Sequence, residues 1–227
     1  MKKDKIPITL LTGFLGAGKT TLLNSVLSDD RYGRVAVIVN EFGETGLDHQ
    51  LIEKSSDDIV LMQSGCLCCS IRGDLPKTIE KLIRKNLQNE IDFERIVIET
   101  TGLADPGPIM QTLLLDNVLA ESTRLDGVVT VADAVNGADT LESQFESVSQ
   151  AALADLIILS KTDIASPQQI LNFKNSLEKK NPTSNIIDAI NGKGVREKIW
   201  GLNALRQKSS YKDVLSWTTG SEPKLSE

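Results

Sequence analysis

"GFLGAGKT", residues Gly13 to Thr20, lies between an apolar run, Ile6 to Thr12, and a segment of helical period, Lys19 to Ser28. The octet fits Gly-x-x-x-x-Gly-Lys-Ser/Thr, and a strand before it with a helix after it is the context that gives this pattern its chemistry. Gly13, Gly16 and Gly18 let the backbone curl so that its N–H groups, through Ala17 and Thr21, converge on a phosphate at a helix N-terminus. Lys19 then neutralises β/γ-phosphate charge, and the Thr20 hydroxyl is placed to ligate Mg²⁺.

Working outward, the apolar runs 34–40 "RVAVIVN", 58–62 "DIVLM", 95–100 "RIVIET", 126–133 "DGVVTVAD" and 154–160 "ADLIILS" are short, rich in Val and Ile, and mostly not alternating. Such strands are buried on both faces, as a parallel sheet covered by helices requires. Leu75, Ile79, Leu82, Ile83 and Leu87 form an apolar stripe that predicts a helix over 74–88. Ser166-Pro167-Gln168-Gln169 supplies a capping serine, a first-turn proline and a capping-box glutamine before Ile170, Phe173 and Leu177. The expected fold is α/β: a P-loop NTPase with a doubly wound, mostly parallel sheet flanked by helices. The periodicity weakens after about residue 195, which divides the chain into a domain over 1–200 and a polar tail over 201–227.

Composition narrows the partners. The chain has 227 residues, 40% of them hydrophobic, and its 25 Lys and Arg against 31 Asp and Glu give a net charge of −6. That balance leaves no basic footprint for nucleic acid or an anionic membrane. No stretch approaches the roughly 20 apolar residues that span a bilayer. The start "MKKDKIPITLLTGFLGAGKT" breaks into glycines and a lysine without a small-residue cleavage site, so a cytoplasmic protein is expected.

Two further segments carry chemistry. "SKTD", 160–163, follows a buried strand. Asp163 there can accept from the N1–H and N2–H₂ of guanine while the stem of Lys161 packs over the purine; a strand-ending turn with an N-cap aspartate is the structural alternative. "GCLCC", 65–69, holds all three cysteines of the chain, Cys66, Cys68 and Cys69. Buried structural cysteines scatter along a sequence, so this crowding points to a metal site or to a redox pair with the Cys66-x-x-Cys69 spacing. Thiolates suit Zn²⁺ or Co²⁺, and three leave a coordination position open. His49, the only histidine, is left out of the site, and Glu44 and Asp48 read as surface carboxylates.

In this order, "GFLGAGKTTLLN", "VNEFGETGLDHQLI", "GCLCC", "VIETTGLADP" and "SKTD" resemble the CobW-like family of P-loop GTPases over about residues 6 to 195. The resemblance implies a slow GTPase with GTP, Mg²⁺ and Zn²⁺ or Co²⁺ as ligands. It also implies a metallochaperone that delivers its metal to a client metalloprotein, with a nucleotide-dependent homodimer among its expected associations. It places Glu41 of "NEFGE" in a nucleotide-sensing switch near the metal, completing the Cys66, Cys68, Cys69 set. By the same resemblance, Glu99 would act on Mg²⁺ through water and the Gly102 N–H would sense the γ-phosphate. Two departures from the family are visible: Ser160 stands where guanine readers commonly carry Asn, and the family's smaller C-terminal domain and histidine-rich linker are expected to be absent. A small-molecule kinase or ATPase, and an adaptor whose cysteines are redox or structural, are the rival functions.

Overall fold

The architecture is that of a computed structural model that describes residues 4–27, 34–40, 59–61, 67–70 and 75–202 apart from 193 and 196. The strands in chain order are β1 (Ile6–Thr12), β2 (Val35–Asn40), β3 (Ile59–Leu61), β4 (Leu67–Ser70), β5 (Arg95–Thr100), β6 (Thr123–Asp133), β7 (Leu156–Ser160) and β8 (Asn185–Asp188). They form one sheet in the order β3-β4-β2-β5-β1-β6-β7-β8. Every neighbouring pair is parallel except β3 with β4.

Alternate residues of these strands feed different cores, which is why the strands read as continuous apolar runs rather than alternating ones. Leu11, Val37, Val97, Val129 and Val131 pack with Leu22, Leu23 and Val26 of α1 (Lys19–Leu27). Their sequence neighbours Leu10, Ala36, Ile38, Ile96, Ile98 and Val128 face the opposite core. There they meet Ile79 and Leu82 of α2 (Leu75–Leu87), Met110 and Leu113 of α3 (Pro106–Leu115) and Leu119 of α4 (Asn117–Ser122). A third cluster joins Ile157 and Leu159 to α5 (Gly137–Ser143), α6 (Phe145–Ala152) and α7 (Pro167–Lys180). Each fully buried Leu or Ile contributes about 1.5–3 kcal/mol relative to exposure.

α7 starts as its sequence predicts. Ser166 Oγ accepts from Gln169 N–H, Gln169 Oε1 accepts from Ser166 N–H at 2.9 Å, and Pro167 opens the first turn. Such a cap is worth about 1 kcal/mol. The central strand β6 begins at Thr123, earlier than the apolar run at 126–133 indicates, because Thr123 to Leu125 already pair with Ile6 to Ile8. The register shifts between Ile8 and Thr9, leaving Asp126 opposite no residue of β1. Asp126 is buried at this bulge and is satisfied by Arg124 at 3.0 Å and by the Gly201 N–H at 2.8 Å. A bulge of this kind explains an acidic residue inside a central strand.

β4 falls on the cysteine segment, a strand that the apolar-run reading does not single out. Cys68 pairs in register with Val37 and Val60, and Cys69 with Ile38 and Ile59. At the other end of the described chain, Val195, Ile199 and Leu202 pack into the α1-side core, and the Arg95 guanidinium stacks on the Trp200 ring at 4.4 Å. Among the described residues no helix is long and apolar enough to cross a membrane.

Candidate functional site

β1 lies at the middle of the sheet between β5 and β6, with Leu11 opposite Glu99 and Thr12 opposite Thr130. The loop after β1 therefore emerges at the carboxyl edge of the sheet, where open α/β folds bind ligands. Gly13 (φ 137°), Gly16 (φ 71°) and Gly18 (φ 94°) give the loop its curl. Gly13 is also demanded by space, since a Cβ there would lie 2.2 Å from the Val131 carbonyl oxygen. Ala17 N–H bonds Phe14 O at 3.2 Å inside the loop, and Thr21 sits exposed in the first turn of α1.

Lys19 is 7% exposed, and its ammonium donates to Gly13 O at 2.9 Å and Phe14 O at 3.3 Å. A buried ammonium fixed by two loop carbonyls at the carboxyl edge of the sheet is chemistry that suits an anionic ligand. The Thr20 hydroxyl donates to Glu99 Oε1 at 3.1 Å across 79 residues of sequence. Glu99 is 1% exposed, and one strand position on, the Thr100 hydroxyl bonds Thr12 Oγ1 at 2.9 Å, tying β5 to β1. A hydroxyl and a buried carboxylate side by side at the mouth of a phosphate loop fit Mg²⁺, a hard cation that takes few protein oxygens and completes its shell with water and phosphate.

Gly102 follows β5 and sits against the loop: a Cβ on it would lie 2.5 Å from Leu15 N and 2.8 Å from Leu15 Cα. The third wall is the end of β7. Ser160 Oγ donates to Ala17 O at 2.6 Å, joining this strand to the phosphate loop. Lys161 adopts φ 58° and pairs through Nζ with Asp133 Oδ2 at 2.6 Å. Asp163 stands exposed in the following turn, where Ile164 N–H and Ala165 N–H both reach Lys161 O.

Asp133, at the end of β6, also accepts from the Val135 and Asn136 N–H groups and from Asn136 Nδ2. Burial pushes its carboxyl up, but the bonds from Lys161, Val135 and Asn136 outweigh this and hold it below the usual carboxylate range. Behind the phosphate loop, a cavity of about 190 Å³ lies between Leu15, Asp133, Thr140, Gln150 and Phe173.

Lys19, Thr20, Glu99, Gly102 and the loop glycines thus meet at one sheet edge, with Lys161 and Asp163 beside them. Glu41, Cys66, His49, Glu44 and Asp48 lie outside the described residues, as do the side chains of Cys68 and Cys69. Among the described residues no group of three His, Cys, Asp or Glu side chains is placed to hold a metal. Asp133, Gln150 and the bond from Ser160 to the loop escape a motif search. Asp133 carries a signal, an acidic residue ending the strand "VVTVAD", whereas Gln150 carries none.

The family description "CobW/HypB/UreG, nucleotide-binding domain" matches residues 7–188. The chain is 44% identical over 169 residues to the zinc chaperone YjiA of Escherichia coli, covering 74% of this chain and 53% of that protein. It is 39% identical over 197 residues to the zinc-regulated GTPase metalloprotein activator 1 of Schizosaccharomyces pombe, covering 84% and 47%. The crystal structure of Zn(II)-bound YjiA GTPase from E. coli superposes with a TM-score of 0.69 at 40% identity, covering 82% of this chain and 57% of that one. The chain spans about half the length of these curated relatives. On its motifs, its sheet and these likenesses, it belongs to the CobW/HypB/UreG family and carries that family's nucleotide-binding domain.

Proposed function

We propose that the chain is a GTP-hydrolysing metallochaperone whose nucleotide controls a transition-metal site. The observation that carries this reading is the bond from Thr20 to buried Glu99 at 3.1 Å, beside a Lys19 already held at the phosphate loop. Relatives named as a zinc chaperone and as a zinc-regulated GTPase metalloprotein activator support it.

The phosphate loop amides and Lys19 bind the β- and γ-phosphates, and Thr20 and Glu99 are the residues that would hold Mg²⁺, Glu99 through water. The ion supplies charge that neutralises the phosphates during transfer. Asp163 reads the guanine edge, with Lys161 alongside the base. Ser160 serves the phosphate loop, leaving base selection to Asp163. The Gly102 N–H meets the γ-phosphate, and Glu41 of "NEFGE" brings that state to Cys66, Cys68 and Cys69, which hold zinc or cobalt as cargo. A few kcal/mol of γ-phosphate contact is enough to change metal affinity by orders of magnitude. The cargo passes to a client metalloprotein in the cytoplasm, and a nucleotide-dependent pair of chains is part of the proposal.

Calorimetry with GTP and ATP, followed by phosphate release from each, tests the enzyme part. The expected result is a GTP preference of at least about tenfold with slow turnover. Equal affinity for both nucleotides would instead favour a small-molecule kinase or ATPase.

A further inference from the structure

The turn after β5 is fixed from two sides. Ala104 N–H donates to Thr101 O at 3.2 Å. The rigid peptide that carries this carbonyl also carries the Gly102 N–H, so this bond sets the direction of that amide. Gln150 on α6 is 1% exposed, and its Nε2 donates to Gly102 O at 3.1 Å and to Ala104 O at 3.0 Å. Its own backbone carbonyl accepts from Thr130 Oγ1 at 2.7 Å, which locks α6 onto β6. The preceding residue, Ser149, donates to Asp105 Oδ1 at 2.6 Å, the same oxygen that caps α3 through Gly107 N–H at 2.9 Å. On its other side the turn abuts the phosphate loop at Leu15, with no room for a Cβ on Gly102.

A carboxamide suits this position because its NH₂ offers two donors to two carbonyls. A carboxylate would set acceptors against acceptors, and an aliphatic side chain would leave both carbonyls without a donor.

We propose that Gln150 is a positioning residue for γ-phosphate recognition: by holding the Gly102 and Ala104 carbonyls it presets the Gly102 N–H toward the phosphate loop and makes α6 the element that registers the γ-phosphate. The inference rests on the nucleotide-switch reading above and adds to it a helix outside the sequence motifs. By linkage, whatever steadies α6 strengthens binding of the triphosphate relative to the diphosphate.

The test compares GDP with a non-hydrolysable GTP analogue, each with Mg²⁺, on the whole chain by calorimetry. Gln150→Met keeps length and removes both donors. The analogue should bind about tenfold more weakly, with GDP changed by less than about twofold. Ser149→Ala loosens the same grip from a half-buried position and should shift the ratio in the same direction by about two- to threefold. It decides the question if Gln150→Met does not fold, as judged by circular dichroism. Equal losses for both nucleotides, or an unchanged ratio, would make Gln150 a purely structural residue and overturn the proposal, as would an unmodified protein that binds di- and triphosphate equally well. A preference for adenine nucleotides would defeat only the guanine reading, and the same ratio measured with ADP and an ATP analogue would still decide the role of Gln150.

Discussion

Glu99→Gln isolates the charge of the proposed magnesium site with little change of shape. The carboxamide keeps an oxygen that can accept from Thr20, so the 3.1 Å contact and the packing around it survive. With Thr20 Oγ1 3.1 Å from Glu99 Oε1, an ion at a typical Mg–O distance of about 2.1 Å from that hydroxyl would lie within about 5 Å of the carboxylate oxygen. At that separation, one carboxylate charge and a divalent ion attract by about 6–7 kcal/mol at an effective dielectric constant near 20. Desolvation of a carboxylate that is 1% exposed and competition from the phosphates offset about half of this, leaving about 3 kcal/mol, a hundredfold in Mg²⁺ affinity. The assay is GTP affinity as a function of Mg²⁺ concentration, alongside thermal unfolding without ligand. The variant should need about a hundredfold more Mg²⁺ for the same effect, with the unfolding curve confirming that it folds. An unchanged Mg²⁺ dependence would refute the assignment of Glu99.

Lys19→Ala should weaken GTP and ATP alike, while Asp163→Asn should cost GTP about a hundredfold and leave ATP untouched, both read by calorimetry. Gly127→Ala places a Cβ 2.6 Å from Leu202 Cβ and 2.9 Å from its Cδ1, so it should cost about 1–3 kcal/mol in denaturant unfolding, and the two substitutions should couple when Leu202→Gly, which removes both clashing atoms, is also present. Asp133 has a native carboxyl held below its usual range, so its contribution is present above the unfolded value of 3.8 and is lost as pH falls through the native one. Asp133→Asn should therefore destabilise by about 1 kcal/mol at neutral pH, with the two proteins converging in urea unfolding at progressively lower pH below 3.8.

What the sequence makes legible here is what is local. The phosphate loop, the Ser166 capping box and the strands with apolar residues on both faces each carry their signal within a dozen residues. β6 is misjudged at its start because a bulge hides Asp126 in a strand that apolar counting begins too late. β4 is four residues long, and "LCCS" draws its regularity from β2 and β3 rather than from propensity. The cap signal Asp105-Pro106 opens α3, although its apolar run alone fixes neither a helix nor its start. At the site, the contact between Thr20 and Glu99 spans 79 residues and that between Gln150 and Gly102 spans 48. The first is reachable only through the resemblance, because Glu99 stands in a recognisable segment. The second is reachable only in three dimensions, because a glutamine inside a short helix announces nothing.

The central claim, that the nucleotide controls a metal site built on Cys66, Cys68, Cys69 and Glu41, is met most directly by titrating Zn²⁺ and Co²⁺ into the reduced protein with and without a non-hydrolysable GTP analogue and Mg²⁺. One tight site is expected, with thiolate charge-transfer absorption from Co²⁺. Affinity should be at least about tenfold higher with the analogue, and metal should tighten the analogue by the same factor. Each Cys→Ser variant should weaken the site, and Glu41→Ala should reduce the coupling. A metal affinity indifferent to the nucleotide, or the absence of any tight site, would contradict the account.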